Sequence, residues 1–83
     1  MNMIHVVYPG STYDCFGIQA SGDVDFVRRF NEKAARRGMR LVSCNPYWSH
    51  WEFVGGIRAE EADYIAHVLS VELRLCDWEG MAI

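Results

Sequence analysis

Two stretches of this chain repeat apolar residues with the period of an α-helix, and each follows two short apolar runs bounded by turn residues. That strand–strand–helix pattern, written twice, limits the fold more than any other feature of the sequence. The first helix is expected between Asp23, a good N-cap, and Gly38, which takes the left-handed C′ conformation without a Cβ penalty. At 100° per residue Val24, Val27, Phe30, Asn31 and Ala34 fall on one side, with Arg29, Lys33, Arg36 and Arg40 roughly opposite. The second helix is expected from Glu60 to Glu72, burying Ala62, Ile65, Ala66 and Leu69.

The strand-like runs are Met3–Tyr8, closed by Pro9-Gly10-Ser11, and the weaker Tyr13–Ala20. In the second half they are Met39–Cys44, broken by Asn45-Pro46, and His50–Gly56. Leu73–Trp78 reads as a closing strand before a loose tail. At an offset of 38, Asp23-Val24-Asp25-Phe26-Val27 matches Glu61-Ala62-Asp63-Tyr64-Ile65 by residue class, and Tyr13 and Cys15 fall on Trp51 and Phe53. The expectation is one domain, 1–83, with pseudo-repeats 3–38 and 39–72 and a final strand 73–78. Hairpins favour antiparallel pairing. The fold expected is therefore α+β, a two-layer sandwich of four to five mostly antiparallel strands with two helices on one face, in the order ββα-ββα-β. If residues 13–20 were a loop, the order would become the ferredoxin-like βαββαβ.

A chain of 83 residues that is 51% hydrophobic and holds three Trp, four Tyr and four Phe folds, rather than remaining disordered. The net charge of −3 is uneven: residues 1–40 hold six Lys/Arg against four Asp/Glu, and residues 41–83 hold two against seven. Dedicated nucleic-acid binders are usually basic throughout. Cys15, Cys44 and Cys76 are odd in number and widely spaced, no secretory leader is visible, and no apolar run is long enough to span a bilayer. These features point to a reducing, cytoplasmic setting away from membranes.

The common chemistries find little footing. No CxxC, HxxxH or HExxH spacing is present, although strand parity would put His5, Cys44 and Cys76 on one sheet face. The serines lack a G-x-S-x-G elbow, and Pro9-Gly10-Ser11-Thr12 lacks the second glycine and lysine of a phosphate loop. Neither metal, cofactor nor catalysis is expected. Ser49-His50-Trp51-Glu52-Phe53-Val54 resembles the aromatic strand of RNA-recognition motifs. Exposing both aromatics would turn Glu52 into the helix layer, so Trp51 and Phe53 are expected inward and Glu52 outward.

Binding surfaces are the remaining source of function. The turn Asn45-Pro46-Tyr47-Trp48-Ser49 carries two aromatics where small polar residues are usual. Tyr47 and Trp48, with Tyr64, His67 and Val71 on the second helix, are the partner-binding candidates, since Trp and Tyr dominate interface hot spots. Arg29, Lys33, Arg36, Arg37 and Arg40 are the candidate contacts for a charged partner. Asp25–Arg29 and Glu32–Arg36 have the spacing of surface ion pairs, leaving Lys33, Arg37 and Arg40 without a local acid. The sheet face away from the helices, with His5, Val7, Glu52, Val54 and Arg74, offers a surface for a homodimer.

The function expected is a small, non-catalytic, intracellular protein-binding module that inhibits a larger protein or nucleoprotein complex. Phage-encoded antagonists of bacterial defence, anti-CRISPR proteins among them, share this size and composition class. The other expectation is a nucleic-acid-binding domain using the basic face of the first helix.

Overall fold

Both strand–strand–helix units form. In a computed structural model describing residues 1–10 and 14–73, the elements run β1 (Met3–Val7), β2 (Gly17–Ser21), α1 (Val24–Arg36), β3 (Arg40–Asn45), β4 (Trp48–Glu52) and α2 (Ala59–Glu72). The strands make one sheet in the order β1-β2-β4-β3, antiparallel at every pairing. Central β2 and β4 meet at the seam, while β1 and β3 form the edges. Because β2 itself is a strand, the ferredoxin-like alternative does not apply.

Register sorts the side chains into five rows across the sheet. Ile4–Ala20–Ser49–Cys44 and Val6–Ile18–Trp51–Leu41 alternate with Met3–Ser21–Trp48–Asn45, His5–Gln19–His50–Ser43 and Val7–Gly17–Glu52–Arg40. The first two rows face the helices, since pleating sends successive residues to opposite faces. Ile4, Ile18, Ala20 and Trp51 join Phe26, Val27, Phe30 and Ala34 of α1 and Ala62, Ala66 and Leu69 of α2 in one core. Trp51 and Phe53 are inward, as expected, and Trp51 Nε1–H donates to Asn31 Oδ1 at 2.9 Å. That bond accounts for an amide on the apolar side of α1, because a buried indole N–H needs an acceptor.

Several boundaries and faces differ from expectation. The inward face of α1 centres on Phe26 and Phe30, and Val24 is exposed. Val24 lies on the flank of that face, where the first turn leaves the sheet. β2 begins only at Gly17, and β4 occupies Trp48–Glu52. Trp48 is therefore a strand residue and the turn is Pro46-Tyr47. Asn45 Oδ1 accepts the Tyr47 N–H at 2.8 Å, an Asx turn that starts the returning strand two residues earlier than His50–Gly56 implied. Leu73 is the buried C-cap of α2 and does not open a strand, and residues 74–78 lie outside the described part.

The halves repeat in their elements but not at an offset of 38. That offset sets buried Phe26 on exposed Tyr64, whereas the two helices begin 35 residues apart, at Val24 and Ala59. The α1 end is as anticipated: Gly38, at φ 76°, follows C-cap Arg37.

Candidate interaction surface

Small Ala62 and Ala66 let α2 approach the sheet closely, which turns Glu60, Tyr64, His67 and Val71 outward along one helical stripe. Tyr64 is 67% and Val71 60% exposed, although both are large and apolar enough to be buried. Beside them Tyr8 extends from the end of β1 and donates its hydroxyl to Asp63 Oδ1 at 3.1 Å. Tyr8 is half exposed and meets Phe16 edge-on at 5.7 Å. The Asp63 carboxylate raises the Tyr8 hydroxyl above its ordinary pKa by holding its proton in that hydrogen bond. At the start of the helix, Glu60, Glu61, Tyr64 and Ile65 line an open groove of about 350 Å³. Glu61 Oε1 accepts the Arg58 N–H at 3.0 Å, fixing the first turn. Thus Tyr64, His67 and Val71 do share a surface, and the sequence reading missed Tyr8 as its neighbour. No local signal joins Tyr8 to Asp63 across 55 residues of chain.

Tyr47 and Trp48 belong elsewhere. Tyr47 is 64% exposed at the β3–β4 turn, and its carbonyl accepts the Gly22 N–H at 3.0 Å. Trp48 is half-buried on the sheet face opposite the helices, edge-on to His50 at 6.3 Å. The five partner-binding candidates therefore divide between two surfaces.

The basic candidates are largely occupied. Arg29 pairs with Asp25 at 3.2 Å, as its spacing indicated. Glu32 pairs with Arg28 at 3.3 Å instead of with Arg36. Arg28 also reaches Asp25 at 2.6 Å, and its guanidinium holds the Asp25 carboxyl below the usual carboxylate range. The acid missing locally for Lys33 and Arg37 comes from α2: Glu72 lies 3.2 Å from Lys33 and 3.9 Å from Arg37. Arg40 pairs with Glu52, its cross-strand partner. Of the five, Arg36 alone makes no ion pair among the described residues.

On the open sheet face, His5, Gln19 and His50 form a cross-strand row. His50 is only 2% exposed; its burial, and secondarily the charge of His5, push its pKa below 6.5. Val54 follows the end of β4 and so is not part of this face, and Arg74 lies outside the described residues. Cys44 shares the row of Ser49, opposite the row of His5. The cause is a register shift between Leu41 and Ser43, which places an extra residue, Val42, in β3 and reverses strand parity beyond it. No group of three or more potential metal ligands gathers among the described residues. A second cleft, about 390 Å³, lies among Pro9, Asp14, Cys15, Phe16, Phe53 and Ile57.

The sheet, its helix layer and the outward stripe of α2 define a small two-layer α+β domain. In comparisons with known proteins, no family model, no curated protein and no solved structure matches this chain. No described helix is long and apolar enough to cross a membrane.

Proposed function

We propose that this protein is a non-catalytic protein-binding module and that the outward face of α2 is its contact surface. One observation carries the reading: Tyr64 and Val71, more than half exposed, lie two turns apart on one stripe of a helix whose other face is anchored in the core. Apolar anchors presented by a rigid helix are one of the recurring ways proteins recognise one another. Tyr8 and His67 extend the patch, and a contiguous apolar patch on a small domain marks an interaction site. Exposed Tyr47 at the hairpin turn is a second, separate anchor.

The mode of action we propose is occlusion of a larger protein or nucleoprotein complex, the role expected above for an antagonist of the phage-encoded kind. A cytoplasmic setting accords with it, as Cys15 and Cys44 form no disulfide among the described residues. Binding of nucleic acid through α1 has less support, because Arg29, Lys33 and Arg37 at its end already face carboxylates, and Arg40 lies on β3, paired with Glu52.

The test is affinity capture from lysate of the source cells, with the parent protein and a Tyr64→Asp/Val71→Asp variant compared by quantitative mass spectrometry. A stoichiometric protein partner should appear with the parent and be lost with the variant. Equal recovery by both proteins, or recovery of nucleic acid alone, would refute the reading.

A further inference from the structure

Resting on the α2 reading, we infer that the segment received there is cationic as well as apolar, a stretch of a partner protein presenting Lys or Arg beside leucine-like residues. The charge on this helix has one sign. Between Ala59 and Glu72 stand Glu60, Glu61, Asp63 and Glu72, with no Lys or Arg among them. Glu72 is engaged by Lys33 and Arg37, and Glu61 caps the helix beside Arg58. Among the described residues Glu60 makes no ion pair, and Asp63 is met only by the neutral Tyr8 hydroxyl. Glu60 stands on the outward stripe itself, one turn before exposed Tyr64, and Asp63 lies beside that stripe on the Tyr8 side.

The sign of the partner follows from desolvation. A purely apolar segment docked on Tyr64 and Val71 would strip water from Glu60 and Asp63 and give nothing in return. An acidic segment would add like-charge repulsion, and so would the phosphates of a nucleic acid. A Lys or Arg side chain laid along the groove of Glu60, Glu61, Tyr64 and Ile65 gives Glu60 a counter-charge, and a second cation on the same segment reaches Asp63 on the other side of Tyr64. The stem of the first covers Ile65, and the Tyr64 ring offers a cation–π face.

Three short synthetic peptides provide the probe, titrated into ¹⁵N-labelled protein and followed by amide chemical shifts. One is an amphipathic Leu/Lys peptide, one has Glu in place of Lys, and one has Ser in place of Leu. The Leu/Lys peptide should shift residues 60–71 most strongly and bind more weakly as salt rises. Glu60→Gln/Asp63→Asn should weaken it about tenfold while the protein stays folded, its melting temperature lowered only slightly by the weaker Tyr8 contact and first-turn charge. Equal or stronger binding by either other peptide, shifts confined to another surface, or no shift at all would overturn the inference. A cellular partner captured through Tyr64 and Val71 but indifferent to Glu60→Gln/Asp63→Asn would also overturn it, while leaving the binding reading intact.

Discussion

Gly22 links the start of α1 to the chain terminus. It holds φ at 145°, and a Cβ there would lie 2.8 Å from Asn2 Cα. Asn2 Oδ1 accepts the Asp23 N–H at 2.9 Å, so this crowding accompanies a helix-start contact. Gly22→Ala should destabilise the fold by about 1–3 kcal/mol, read from urea unfolding. The opposite sign is expected at Ser49, whose buried Oγ makes no hydrogen bond among the described residues. Ser49→Ala removes an unsatisfied polar atom, so stability should hold or rise by up to about 1 kcal/mol. A third expectation concerns His50, whose pKa in the folded state lies below 6.5 because burial and then His5 disfavour its charged form. The unfolded chain therefore binds the proton more readily. The His50 contribution is fully present above the ordinary histidine value and is lost as pH falls through 6.5 toward the folded pKa. Unfolding midpoints measured from about pH 8 to about pH 5 should fall, and less steeply in His50→Gln. An unchanged slope in that variant would place the effect in other groups.

Among the elements, α1 and β4 are joined by a part-buried polar contact, Trp51 to Asn31. Asn31→Leu leaves the indole N–H unsatisfied and should cost about 1–3 kcal/mol in thermal or chemical unfolding. In a Trp51→Phe background the same change should cost much less, because no donor remains to be stranded. The α1–α2 link through Glu72 is weaker by nature, since both partners are part-exposed. Glu72→Gln should change stability by no more than about 1 kcal/mol, and less in high salt. The elements themselves could be read from local pattern. Gly38 ends α1 as its chemistry dictates, Asp23 stands at the N-cap position although its side chain makes no capping hydrogen bond, and alternation around Trp51 gives that ring its inward face. The inward face of α1 was misplaced toward Val24 because periodicity gives a helix a stripe but not the point where that stripe meets a sheet. The two-residue turn at Pro46-Tyr47 is hidden in the local pattern, because two aromatics after a proline do not carry the usual small polar turn signature.

At the scale of the whole molecule, the candidate surface should be dispensable for folding. Tyr64→Asp/Val71→Asp should leave the melting temperature nearly unchanged, as both side chains point to water. What the amino-acid order determined by itself was local: two strand–strand–helix units, their breakers, an antiparallel α+β class and an outward stripe of Tyr64, His67 and Val71. Tertiary structure alone decided that β2 pairs with β4, that Glu72 meets Lys33 and Arg37, and that Tyr8 joins Asp63. It also moved Cys44 to the face opposite His5 through one extra residue in β3. The reason is physical: propensity and periodicity act over a few residues, whereas register and inter-element pairing arise only when distant segments compete for the same core.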